Sequence, residues 1–356
     1  MSEEEKCATA YELSNNVAFE ILLGALTCVS TVAIIVEAYS MKRTTMHMTV
    51  HANTRILILA HQVGLILHCL ARIHAHIMDL YLFTRSLSNP CDYLSTATRC
   101  FFLRVPITLT FFLSVCSVGG IVAERTIATL FSAKYERMGK GVAIVLVTAE
   151  VVVSVVLLFC AVYDDNALGS TKTVYCATLN EDNSNRGVAI LSVLFALDVA
   201  SALLLPILLC INEKSRRNEV HANLSHRYQM SENIASIRTL LPLLIFHSTV
   251  FAVFIAALLT YFVTQPSSSH MIYAVFLESV QLTPVYALLL PAMLSYTQRR
   301  VQKRQIRTLN SAIGFSKKEA TDLYFETLFP TALKKKQEET KTRVGYDDNA
   351  SAITKA

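Results

Sequence analysis

Charged residues make up only 17% of the 356-residue chain, and none of its residues is tryptophan. A soluble domain of this length spreads charge over its surface, whereas here the charges are clumped and apolar residues reach 53%. The opening Met1-Ser-Glu-Glu-Glu is acidic where a cleaved signal peptide would be basic, so the first apolar run is expected to serve as its own uncleaved anchor. No segment alternates polar and apolar residues over about 10 positions, which excludes a membrane barrel. No internal repeat is visible.

Between the charge clusters lie seven unbroken apolar stretches: Val17 to Tyr39, Arg55 to Met78, Cys100 to Ala123, Gly141 to Tyr163, Gly187 to Ile211, Arg238 to Val263 and Met271 to Tyr296. Each is long enough as an α-helix, at ~1.5 Å per residue, to cross a hydrocarbon core ~30 Å thick. The expected fold class is an all-α membrane protein, a seven-helix bundle over residues 17–296. Residues 1–16 precede it, a basic, partly apolar tail covers 297–332, and a polar, disordered tail covers 333–356. That last tail offers Thr340, Thr342, Ser351 and Thr354 to kinases.

An odd number of spans places the termini on opposite sides, and Lys and Arg mark the cytoplasm. One set of loops and the tail carries fifteen of them, including Lys42, Arg43, Arg137, Lys140, Arg216, Arg217, Arg299 and Arg300. The other set carries five: Lys6, Arg85, Arg99, Lys172 and Arg186. The N-terminus is therefore expected outside. The sequons at Asn223 and Asn349 then face the cytosol and stay idle. Cys28, Cys69, Cys116, Cys160 and Cys210 fall within spans and read as small buried packing residues.

Cys7, Cys91, Cys100 and Cys176 fall on the outer side, where disulfides persist. A Cys100–Cys176 bond would pin the loop between spans four and five over the bundle. Cys91 competes as the partner of Cys176, Cys7 takes whichever is left, and four unpaired thiols are the bland reading.

Ionisable groups within membrane spans are costly and face the bundle or a wet cavity. On span two, at ~100° per residue from His61, His68 falls at about −20°, Arg72 at about +20°, Asp79 at about 0° and His76 at about +60°. His74, at about −140°, leaves the stripe. Arg104, Asp198 and Glu278 supply further charge on spans three, five and seven. Two readings stay open: a polar ligand pocket built from His68, Arg72, His76, Arg104, Asp198 and Glu278, or an internal ion-pair network locking the helices. An ion or proton path is a third. Glu20 and Glu37 can reach the interfaces, and Glu150 is expected to be neutral or hydrogen-bonded to a neighbouring helix.

Span three ends in Glu124-Arg125, ~37 Å of helix beyond Cys100 at ~1.5 Å per residue, so an outer cysteine and an inner arginine bracket one crossing. G-protein-coupled receptors share this layout. Pro206, Pro242, Pro284 and Pro291 mark candidate hinges. The run from Arg299 to Arg307 suits a helix on anionic lipid.

The segment Asn223-Leu-Ser-His-Arg-Tyr-Gln-Met-Ser-Glu-Asn-Ile-Ala, Glu124-Arg125-Thr-Ile-Ala-Thr with Tyr135-Glu136, and the outer Asn89-Pro90-Cys91-Asp92 resemble the nematode serpentine chemoreceptors of the alpha superfamily, nearest to classes alpha and AB. The start of span two at His51-Ala-Asn53, and Arg104 with Pro106, are also similar. The resemblance covers about Val17 to Pro330. It implies a plasma-membrane receptor, in sensory-neuron cilia or other cells, that binds a small molecule and activates a heterotrimeric G protein. Glu124, Arg125, Arg227, Tyr228 and Glu232 are the coupling candidates it implies. Membrane lipids and a second copy are further candidate partners, and no nucleic acid is expected.

The chain departs from rhodopsin-like receptors in having no tryptophan for span six and no Tyr at the third position after Pro291. Span seven has no Lys, which excludes a retinal Schiff base there, and no cofactor is expected. Two rival classes are a transporter or proton path using Glu150, Asp198 and Glu278, and a zinc hydrolase built on His47, His51 and the span-two histidines. Missing repeats argue against the first. Against the second, His247 is the only intramembrane histidine outside span two.

Overall fold

The computed structural model describes residues 2–48, 50–135, 138–163, 172–178, 184–218, 224–264 and 270–328. Among these, ten α-helices run α1 Glu3–Ser14, α2 Val17–Arg43, α3 Ala52–Phe83, α4 Ala97–Leu130, α5 Ser132–Tyr135, α6 Gly141–Val162, α7 Ser184–Asn218, α8 Leu224–Thr264, α9 His270–Val280 and α10 Thr283–Leu328. Residues Met1–Gln298 form one compact unit and Arg299–Ala356 a second.

Polar residues set the helix starts. Ser2 Oγ accepts from the Glu5 amide at 3.2 Å, Asn16 Oδ1 from Phe19 at 3.1 Å and Thr96 Oγ1 from Arg99 at 3.3 Å, each satisfying an amide the helix leaves unpaired. Three glutamates in the first turn of α1 complement its dipole.

Seven segments are long and apolar enough to cross a membrane: Val17–His47, Ala52–Phe83, Ala97–Leu130, Gly141–Val162, Asn185–Asn218, Gln229–Tyr261 and Met271–Arg304. Within the most apolar stretch of each, α4 is 67% buried by other protein and α6 only 17%, so α4 threads the centre and α6 lies at the rim. One end of the bundle carries α1, both disulfides and the paired strands β1 (Ser95–Thr96) and β2 (Lys172–Thr173); it is called the disulfide face. The opposite end carries Lys42, Arg43 and Arg125 and is called the basic face.

Three apolar layers stack between the faces. Leu13, Phe19, Leu23, Tyr93 and Val174 pack α1 and the strand loop onto the helices. Phe111, Val115, Leu194, Phe251 and Ile255 fill the middle, and Leu57, Leu65, Ile121, Leu205, Ile237 and Leu290 fill the basic half. A buried Leu or Phe is worth about 1.5–3 kcal/mol relative to water, but lipid competes for these side chains, so close packing and polar contacts decide the arrangement.

The structure departs from the sequence reading in several places. Residues 3–14 form a helix tied down through Cys7, where the sequence suggested only a leading segment. The seventh span is broken: α9 stops at Val280 and α10 starts at Thr283. Pro284 accounts for this, because its ring collides with the carbonyl four residues back, that of Val280. Pro206, Pro242 and Pro291 lie inside continuous helices, so of the four hinge candidates only Pro284 interrupts one. Glu37 does not reach an interface; it is buried and accepts from Gln62 Nε2 at 2.8 Å. Cys28, Cys160 and Cys210 are exposed on the bundle exterior rather than packed inside, and Cys69 and Cys116 are the buried pair.

Candidate functional site

Below the disulfide face, α3, α4 and α9 bring a set of charges together. Glu278 of α9 is the hub: it accepts from Arg72 Nη2 at 2.6 Å, Arg104 Nη1 at 2.8 Å, Tyr175 OH at 2.7 Å and His76 Nε2 at 3.2 Å. Arg104 also donates to Asp79 at 2.9 Å and lies over the Tyr175 ring at 4.8 Å. Arg72 is fully buried and donates further through Nη1 to the side-chain amide oxygen Oε1 of Gln281. Two buried guanidiniums therefore face two buried carboxylates, and half-exposed Arg99 approaches Asp79 at 3.7 Å from the edge.

The bonds Cys100–Cys176 and Cys7–Cys91 set this geometry from above. Cys176 ties the loop that carries Tyr175 to the start of α4, next to the two-stranded pairing of Ser95 with Thr173. Burial holds the Tyr175 phenol well above its ordinary pKa, so it stays protonated and serves Glu278 as a donor.

Beside the charge cluster, between α4, α7, α8 and α9, is a cavity of about 80 Å3. Its walls are mostly apolar, among them Ile107, Phe111, Phe112, Leu191 and Phe254, with Arg104, Glu278 and Gln281 along one edge.

The six residues read from the sequence as pocket candidates divide in three. Arg104 and Glu278 line the cavity, and Arg72 and His76 hold Glu278 from behind. His68 is bonded to Thr110 at 3.0 Å and makes no hydrogen bond to Glu278. Asp198 lies in the middle layer and pairs with His247 at 3.2 Å. Neither is among the residues lining this cavity, since helical angle alone does not fix depth or partner.

The middle layer joins five helices. His61 contacts Ser117 at 2.6 Å and Tyr286 at 2.9 Å. His247 stacks on Phe251 at 4.0 Å and meets Tyr286 edge-on at 5.1 Å, while Phe251 stacks on cavity-lining Phe111 at 5.2 Å.

At the basic face, Arg125 is buried and donates through Nε to Glu124 at 2.5 Å, with a second, shorter bond from Nη2. Its Nη1 donates to Asn233 of α8 at 2.9 Å. Glu124 accepts further from Thr54 at 3.3 Å and from Tyr135. Burial, then the Glu124 carboxylate, hold the Tyr135 phenol above its ordinary pKa, so it too remains a donor. Asn233 also bonds Asn212 of α7 at 3.1 Å, so α3, α4, α7 and α8 meet at one polar knot. A recess of about 30 Å3 lined by Arg125, Tyr135, Gln229 and Glu232 opens beside it. Among the other coupling candidates, Glu232 is here, whereas the side chains of Arg227 and Tyr228 lie outside the described residues.

The family model for serpentine type 7TM GPCR receptor class ab chemoreceptors matches residues 4–332. The chain belongs to this family. It is 28% identical over 267 residues to the Caenorhabditis elegans serpentine receptor class alpha/beta-14, covering 72% of this chain and 66% of that protein. It is 26% identical over 169 residues to serpentine receptor class alpha-39 of the same organism, covering 47% of this chain and 44% of that one. The chain thus spans less than two thirds of the length of either relative.

For a serpentine receptor chain, the sequence missed Gln281, Tyr175 and the His61–Tyr286 contact. Pro284 signalled the break that frees Gln281, and the tethered loop signalled Tyr175 only through its neighbour Cys176. Nothing in the residue pattern pairs His61 with Tyr286. Among the described residues no group of three or more His, Cys, Asp and Glu is arranged to hold a metal ion.

Proposed function

We propose that this chain is a chemosensory receptor of the plasma membrane, with the disulfide face outside and the basic face in the cytosol. It binds a small molecule in the cavity below the disulfide face and activates a heterotrimeric G protein at the basic face. The fifteen against five distribution of Lys and Arg and the oxidised cysteines on the poorer side support this orientation.

One observation carries the mechanism: a single helix touches both sites. Phe254 and Leu258 of α8 line the cavity, Asn233 of α8 holds Arg125, and Pro242 lies between them. Pro242 removes a backbone bond there and lets the two halves of the helix turn relative to one another. A ligand that prefers one setting of α8 shifts the population at the Arg125 end, as coupling between two sites requires. In the resting form Glu124 and Asn233 hold Arg125; released, it faces the G protein with Glu232, Arg227 and Tyr228.

The rival transport reading needs Glu150, Asp198 and Glu278 on one wet path. Instead Glu278 is saturated by donors, Asp198 faces His247, and Glu150 is wedged against Gly120.

The test is a panel of small soluble and volatile compounds applied to cells expressing the chain with a promiscuous G protein. A second-messenger response that disappears in Arg125→Met at equal surface expression is expected. Compound uptake unaffected by Arg125→Met, with no second-messenger response, would establish the transporter instead.

A further inference from the structure

We infer that the cavity below the disulfide face takes a compact, uncharged molecule with an apolar body and one hydrogen-bond acceptor, the chemistry of a short-chain ketone, ester or ether. This rests on the receptor reading and narrows it.

Size sets the first limit. The cavity of about 80 Å3 is roughly half the ~150 Å3 of an engineered apolar cavity that takes up benzene, so a handful of heavy atoms fills it without moving the walls.

Charge sets the second. The charged residues lining the cavity are Arg104 and Glu278, which are bonded to each other at 2.8 Å. Behind them Arg72 is bonded to Glu278, and Asp79 to Arg104, so the buried set is already balanced. An anionic ligand would have to displace a carboxylate from Arg104, and a cationic one would have to draw Glu278 from two arginines. Either leaves a buried charge without its partner, which is heavily penalised.

The third limit is the polar contact on offer. Thr108 and Thr178 bond each other at 2.7 Å. Gln281 lines the cavity, its Oε1 is taken by Arg72, and its amide nitrogen has no partner among the described residues. That N–H is a donor, and an acceptor oxygen on the ligand satisfies it. Chain geometry placed it there, since the break after Val280 takes Gln281 out of the helix ladder.

The test measures the apparent unfolding midpoint of the full chain in lipid nanodiscs with 2-butanone, butanoate or butylammonium at equal concentration. The expected result is an upward shift with 2-butanone alone. The shift disappears when the cavity is filled in Ala161→Phe or, as a second variant should the first not fold, Ala177→Leu. It falls at least twofold in Gln281→Leu. A larger shift with butanoate or butylammonium that is lost on filling overturns the charge argument while leaving the site in place. A 2-butanone shift that survives filling overturns the cavity as its site. No shift with any probe, in a chain that still signals through Arg125, overturns the ligand class and leaves the receptor reading standing.

Discussion

Replacing Glu278 with glutamine keeps the side chain's shape and removes the charge that Arg72 and Arg104 share. Four donors converge on that carboxylate, and after the change two buried guanidiniums have only Asp79 between them. Leaving a buried charge unpaired costs about 3–5 kcal/mol. At roughly 2–4 °C per kcal/mol for larger domains, the apparent midpoint should fall by about 10 °C at fixed heating rate. Arg72→Met should cost a comparable amount by uncovering Glu278. The double variant keeps the Arg104–Asp79 pair and restores balance, so its loss should be clearly smaller than the sum of the singles. The missing tryptophan rules out the usual intrinsic probe, but a thiol-reactive dye can report on buried Cys69 and Cys116 above the background of exposed Cys28, Cys160 and Cys210. Additive single losses, or a Glu278→Gln chain as stable as the parent, would refute the shared-charge account.

Three further outcomes follow from the same geometry. Maleimide labelling of the denatured chain should tag five thiols before reduction and all nine after; seven before reduction would remove one of the two bonds. Asn233→Ala removes a charged hydrogen bond worth about 1.5–3 kcal/mol between Arg125 and α8, and should raise ligand-free G-protein activation by about tenfold or more; unchanged basal activity would argue against the knot as a resting lock. Gly120→Ala would drive a methyl group into the carboxyl of buried Glu150 and should destabilise by about 1–3 kcal/mol, with Glu150→Ala in the same chain recovering most of it; no recovery would show that the two do not share the notch.

Hydropathy made the seven crossings legible because each span holds a long stretch of high mean hydropathy with few charges. The stripe on α3 was legible for the same kind of reason: helical angle placed Arg72, His76 and Asp79 on one side and His74 on the other, and the structure buries the first three and exposes the last. Angle says which way a side chain points, not what waits there. His68 shares the stripe yet meets Thr110, and Asp198 shares the charge yet meets His247 at another depth. Glu37 was misjudged because its partner Gln62 is uncharged, and apolar cysteines read alike whether they face protein or lipid. Gln281 was invisible until the break at Pro284 turned an ordinary helical glutamine into a cavity wall.

In the proposed mechanism α8 carries a signal from the cavity to Arg125. Guanine-nucleotide exchange on a purified heterotrimeric G protein, driven by the full chain in nanodiscs, tests it most directly. Exchange above background is expected for the parent chain with ligand, strong exchange without ligand for Asn233→Ala, and none for Arg125→Met. Equal exchange by all three chains would contradict it.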